Sequence, residues 1–127
     1  MTGWVLDSSA ELAVIKGEPG AEIVVDALAN SVLSAVNAGE IVGKLIERGL
    51  EPIEATQSLR EFGCTIVPVD AELGLRAGEL IAVTRSKGLS LGDRICLALA
   101  ERENLTALTS DRAWATLGLD IKVSLIR

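Results

Sequence analysis

The sequence predicts a mostly parallel β-sheet covered by helices on both faces. Short apolar, often β-branched runs alternate along the chain with stretches of helical periodicity, and parallel neighbours need such crossover connections. The 127 residues are 49% hydrophobic, which excludes a disordered chain and suits one domain, residues 1–127. No internal repeat, low-complexity segment or linker divides it.

The elements follow in order. Trp4-Val5-Leu6 reads as a strand ending at Asp7, and Ser8-Ser9-Ala10-Glu11 as a capping box that opens a helix to Lys16. Gly17-Glu18-Pro19-Gly20 breaks the chain before a second helix from Ala21 to Ala29. Ser31-Val32-Leu33 is a short strand. From Ala35 to Gly49, residues Ala38, Ile41, Val42, Leu45 and Ile46 fall on one helical stripe. Pro52 suits the first turn of a further helix that Gly63 ends. Cys64 to Val69 is strand-like, with Pro68 placing it at an edge or a strand end. Leu73, Ala77, Leu80, Ile81 and Thr84 mark one amphipathic helix, stopped by Lys87-Gly88. Ser90 caps the next, which is almost wholly apolar from Ile95 to Ala100 and therefore buried. Leu105 to Thr109 is a strand, Arg112 to Leu117 a short helix, and Ile121 to Ile126 a last strand.

Composition narrows the chemistry. Histidine is absent, which excludes Ser–His–Asp and Cys–His relays and any His-ligated zinc or haem. Cys64 and Cys96 match neither a redox C-x-x-C nor a metal knuckle. Three aromatics, Trp4, Phe62 and Trp114, are too few for a base-stacking platform. Carboxylates are plentiful, 18 Asp and Glu against 12 Lys and Arg, for a net charge of −6. Acids are the groups left to do chemistry.

The amino terminus has no basic region and an early acid, so it does not read as a signal peptide. The longest uncharged stretch, Ala27 to Gly39, falls short of the ~18 residues that suggest a membrane span. With two isolated cysteines, the expected setting is a reducing cytoplasm. A mean hydropathy of +0.39 hints at apolar surface covered in an oligomer or by a partner.

In open sheets of this kind, sites form beyond the carboxyl ends of the strands. Asp7 ends the first strand and Asp111 follows the strand ending at Thr109, while Asp93 and Glu40 sit in early turns of helices. Each has an ordinary explanation. Asp7 and Asp111 suit helix caps, Asp93 completes a Ser90-x-x-Asp93 capping box, and Glu40 suits an i,i+4 pair with Lys44. If the four converge, their repulsion calls for a cation. An all-oxygen set without histidine favours Mg2+ or Mn2+, which activates water against a phosphodiester.

At these residues the chain resembles the PIN-domain ribonucleases, in particular the VapC-like toxins of toxin–antitoxin modules. The resemblance covers nearly the whole length. Val5-Leu6-Asp7-Ser8-Ser9 is similar to the family's opening strand and first acid, and Ser34-Ala35-Val36-Asn37-Ala38-Gly39-Glu40-Ile41 to its second acid on a helix. Asp93-Arg94-Ile95-Cys96-Leu97-Ala98-Leu99-Ala100 is similar to the third, and Leu108-Thr109-Ser110-Asp111-Arg112-Ala113-Trp114 to the fourth. The four in this order, with these intervening elements, are fairly specific. Two departures stand out: Trp114 replaces a common phenylalanine, and Arg94 takes the place of a frequent small residue.

The resemblance implies a three-layer α/β/α sandwich, Mg2+- or Mn2+-dependent RNA cleavage, a homodimer, and a small antitoxin that wraps the toxin. It implies that Asp7, Glu40 and Asp93 hold metal, and that Asp111 holds a second metal or orients the attacking water. Ser8 and Thr109 are then candidates for bonding carboxylates or metal-bound water, and Asn37 for lining the cleft. Arg94 and Arg112 are candidates for gripping flanking phosphates, set against local ion pairs with Asp93 and Asp111. Trp114 is expected in the core or a dimer interface. A pI of 4.6 makes a basic antitoxin segment electrostatically reasonable. Two other readings compete. One is a receiver-like phosphoacceptor domain, for which Ser8-Ser9 and Lys122 are poorly placed. The other is a non-catalytic PIN-like scaffold, against which the four retained acids speak.

Overall fold

The computed structural model describes residues 3–127; Met1 and Thr2 of the amino-terminal stretch read above lie outside the described residues. Five strands form one sheet: β1 (Trp4–Leu6), β2 (Ser31–Ser34), β3 (Thr65–Val67), β4 (Thr106–Thr109) and β5 (Val123–Leu125). Their order is β3-β2-β1-β4-β5, and all four pairings are parallel. The expected mostly parallel sheet is thus parallel throughout. β1 lies at the centre, and the chain winds outward on one side through β2 and β3, then on the other through β4 and β5. The winding direction therefore reverses beside β1, and a crevice opens at such a point beyond the strands' carboxyl ends.

The helices are α1 (Ser8–Lys16), α2 (Ala21–Ala27), α3 (Ala35–Glu47), α4 (Pro52–Arg60), α5 (Ala71–Glu79), α6 (Ile81–Thr84) and α7 (Leu91–Glu103), with 3₁₀ turns at Leu28–Asn30, Arg85–Lys87 and Arg112–Thr116. Alternation along the strands separates two cores. Leu6, Leu33 and Leu108 point to the side of α1 to α4, where they pack with Ala10, Val24, Ile41 and Leu59. Val5 and Ala107 point to the other, where Leu73, Leu80, Leu97, Leu99 and Trp114 gather. This is the three-layer sandwich expected.

Three local expectations change. Ser8 does not cap α1: Asp7 is its N-cap, its side chain accepting from the Ala10 N–H, and Glu11 is fully buried. Asp7 wins because a carboxylate at the strand end already faces the free helix donors. The stripe from Leu73 to Thr84 is two helices, parted at Leu80, whose carbonyl accepts a bond back from the Thr84 hydroxyl at 2.9 Å. β3 stops at Val67 instead of Val69, because Pro68 has no N–H for the ladder. The Ser90–Asp93 capping box of α7 forms as expected.

Candidate functional site

Asp7 leaves β1 at the centre of the sheet and is buried. Its Oδ1 accepts from the Ala10 N–H at 2.8 Å, and its Oδ2 from the Thr109 hydroxyl at 2.5 Å. Ser9 Oγ lies 2.8 and 2.9 Å from the two carboxylate oxygens. The same two hydroxyls accept from the next loop: Ser9 from the Ser110 N–H at 3.1 Å, and Thr109 from the Asp111 N–H at 3.0 Å. Asp7 is thereby tied to the segment that carries Asp111. Burial pushes the Asp7 carboxyl up to about 6; its hydrogen bonds to Thr109, Ala10 and Ser9 oppose this, and the Asp93 charge adds to it.

Glu40 projects from the second turn of α3. Its Oε1 accepts from the Ser8 hydroxyl at 2.6 Å and from Asn37 Nδ2 at 2.8 Å. Asn37, wholly buried, is oriented by the Ser34 hydroxyl at 2.7 Å and reaches the Gly92 carbonyl at 3.2 Å. The other Glu40 oxygen rests against Gly92 at the start of α7. Among the described residues Glu40 makes no ion pair with Lys44, so the i,i+4 reading fails: Ser8 and Asn37 hold the carboxylate instead.

Asp93 accepts from the Ser90 N–H at 3.0 Å, and burial with the charges of Glu40 and Asp111 raises its carboxyl. Asp111 caps the following 3₁₀ turn through the Ala113 N–H at 3.0 Å. The ordinary capping roles of Asp7, Asp93 and Asp111 are therefore real, yet all four acids reach one pole of the sheet. Beneath them lies Cys96, fully buried, its thiol pushed up by burial and by the charges of Asp7, Asp93 and Glu40. None of the four acids is in an ion pair among the described residues. Among those residues, no three Asp, Glu or Cys side chains stand close enough together to enclose one ion as placed.

The two arginines part company. Arg94 turns away from the acids, donating from Nη1 to the Ala77 carbonyl at 3.0 Å with its Nε buried and unpartnered, so it neither pairs with Asp93 nor faces the cleft. The residue after Asp93 points from α7 toward α5, a consequence of the 100° step per helical residue. Arg112 is exposed and makes no ion pair with Asp111 among the described residues. Trp114 lies in the core against α7, not in the cleft. Ser9 was missed as a site residue; its signal was position alone, the second hydroxyl after a strand-end acid. Gly92 was missed too, since nothing in a helix start marks a glycine as the neighbour of a carboxylate 52 residues away.

No curated protein matches this sequence. Among solved structures, DNA-bound VapBC from Salmonella typhimurium aligns over 100% of both chains with a TM-score of 0.76 and 15% identity. VapC20 of Mycobacterium tuberculosis, described as a sarcin–ricin loop cleaving toxin, aligns over 94% of this chain and 99% of its own, with a TM-score of 0.75 and 15% identity. A toxin–antitoxin complex from Klebsiella pneumoniae aligns over 98% of each chain, with a TM-score of 0.73 and 17% identity. At such identities the likeness is one of fold. The sequence profile of the PIN domain, in contrast, matches residues 4–118, and the chain belongs to that family.

Proposed function

We propose that this chain is a Mg2+- or Mn2+-dependent endoribonuclease that hydrolyses RNA phosphodiesters as the toxin of a toxin–antitoxin pair. The observation that carries the reading is the gathering of Asp7, Glu40, Asp93 and Asp111 at the switch point of the sheet with no cation paired to any of them among the described residues. Two carboxylates about 4 Å apart repel by roughly 4 kcal/mol at an effective dielectric near 20, and a cation relieves that. The donor set fits a hard divalent ion. Every candidate ligand is oxygen, and Glu40 Oε2, Asp93 Oδ1 and Asp111 Oδ2 make no hydrogen bond among the described residues. Closing on one ion requires these side chains to turn inward from their present positions.

A bound divalent ion supplies a Lewis acid for the phosphodiester and lowers the pKa of water. The chain does the rest. Asp7, Glu40 and Asp93 hold the ion, and Asp111 holds a second one or orients the attacking water. Ser8 and Asn37 fix Glu40, while Thr109 and Ser9 fix Asp7. Arg112, exposed beside Asp111, contacts a flanking phosphate. Membership of the PIN-domain family and the likeness to VapBC complexes support a nuclease with an antitoxin partner. The antitoxin we propose carries a basic segment that places an Arg or Lys among the acids, and the toxin works as a homodimer or a larger assembly in the cytoplasm. No helix among the described residues is long and apolar enough to cross a membrane.

Nothing favours the receiver-like alternative, since Lys122 precedes β5 and so stands at the amino-terminal edge, opposite the acids. The test is RNA hydrolysis by the purified chain with Mn2+ or Mg2+ and with chelator. Chelator is expected to abolish cleavage, and D7N and D93N to lower it at least a hundred-fold. Variants that cleave within a few-fold of wild type would remove the site assignment. Calorimetry with Mn2+ separates a scaffold, which shows no carboxylate-dependent binding.

A further inference from the structure

Gly92 occupies the second position of α7, between Leu91 and Asp93, and is buried. Its φ is not positive, so the backbone there accepts any ordinary residue. Alanine is moreover the better helix former at such a position. Helix formation therefore does not explain this glycine, and space does. A Cβ built on Gly92 would lie 2.5 Å from Glu40 Oε2 and 2.7 Å from both Cδ and Oε1. All three nearest atoms belong to one carboxylate, and real Cβ atoms do not approach that closely. The Gly92 carbonyl meanwhile accepts from Asn37 Nδ2, the group that also holds Glu40. One residue of α7 thus makes room for the Glu40 carboxylate and helps aim the amide that anchors it.

We propose that Gly92 is a positioning residue for Glu40: its missing side chain is the space in which the carboxylate stands against α7, one residue from Asp93. The inference rests on the metal-dependent reading of the four acids for its functional consequence, though not for the contact itself. Glu40 is the far end of a flexible side chain, so a methyl group at position 92 displaces it without disturbing the core. Helix stability and site geometry then make opposite demands on position 92.

The experiment is a double-mutant cycle of G92A and E40A on the full chain, read by urea unfolding, by Mn2+ calorimetry and by RNA hydrolysis. In the E40A background, G92A is expected to raise the folding equilibrium constant about three-fold, the ordinary glycine-to-alanine gain. In the wild-type background that gain is offset by the Ser8 and Asn37 bonds Glu40 loses. Mn2+ affinity and hydrolysis fall at least ten-fold in G92A, and in these two measurements G92A adds nothing to E40A. Equal stability effects in the two backgrounds, or an unchanged Mn2+ affinity in G92A, overturn the proposal. A wild-type chain that binds no Mn2+ while the stability coupling is present removes the metal reading and leaves the Gly92–Glu40 contact standing.

Discussion

Asp7 serves two demands at once: it caps α1 through the Ala10 N–H and presents a carboxylate at the centre of the candidate site. Its burial sets the cost of the second. The folded-state pKa is raised from 3.8 to about 6, so the native state binds the proton more tightly than the unfolded chain. The stability this contributes is fully present below about pH 3.8 and is lost as pH rises through about 6. A shift of this size corresponds to about 3 kcal/mol. In chelator, thermal unfolding at pH 5 to 7 is therefore expected to show falling stability in the wild type. D7N, still a good cap, flattens that slope, leaving the smaller part due to Glu11 and Asp93, and is more stable at pH 7 by about 2 kcal/mol. A wild-type profile that rises over that range counts against the buried, unpaired Asp7. The same scale shows what a motif can hide. Asn37 engages Glu40, the acid three residues on, whereas Thr109 donates to Asp7 from far along the chain, and Arg94, adjacent to Asp93, serves the contact between α5 and α7 instead.

Among the elements, α1 departs furthest from its sequence reading. Glu11, expected to complete a capping box, lies in the core with one oxygen accepting from the Cys64 thiol at 3.1 Å and the other unpartnered. Burial raises its carboxyl despite that bond, so its contribution to stability is present below the ordinary carboxylate range and lost as pH rises through the raised value. An unsatisfied buried polar group costs about 1–3 kcal/mol. E11M, close in volume and apolar, is expected to stabilise the chain by about 1–2 kcal/mol at pH 7 and by less near pH 4 in urea titrations. The partnership also acts on the thiol, which burial and Glu11 push up to about 12. Alkylation of Cys64 at pH 8 should be far slower than that of free cysteine and should quicken in E11M. An unchanged rate would mean that Glu11 does not govern the thiol.

At the scale of the molecule, the winding reversal beside β1 brings together acids from four separate elements, 104 residues apart at the extremes of the sequence. The carboxyl end is packed back onto the beginning. Ile126 lies in the core beside α1 and α2, and Gly20, at φ +93°, faces its carbonyl so closely that no side chain fits. G20A is expected to cost about 2 kcal/mol or more, from both the left-handed backbone and the clash. An unfolding free energy that changes by less than a tenth of this would place the carboxyl end elsewhere. The net charge of −6 acts at this scale too. Without a cation at the acids the molecule repels a polyanion, so RNA retention by the chelated protein should be weak.

Much of this was legible in the sequence because the signals are local. Strand and helix periods, the Ser90–Asp93 box and the absence of histidine depend on neighbours within a turn or on composition. They determined a parallel sheet between two helical layers and left carboxylates as the chemistry at hand. The break at Leu80, the burial of Glu11 and the turning away of Arg94 were not legible. The last two depend on a group far along the chain or on which face a helix presents to another. The break at Leu80 goes with a hydroxyl bond from Thr84, four residues on, that competes with the helix ladder. Only the tertiary structure decided that Ser9 clamps Asp7 to the Asp111 loop and that Gly92 leaves room for Glu40. The physical reason is range. Secondary structure is set by interactions a few residues long, whereas the position of a carboxylate is set by whatever the fold packs against it.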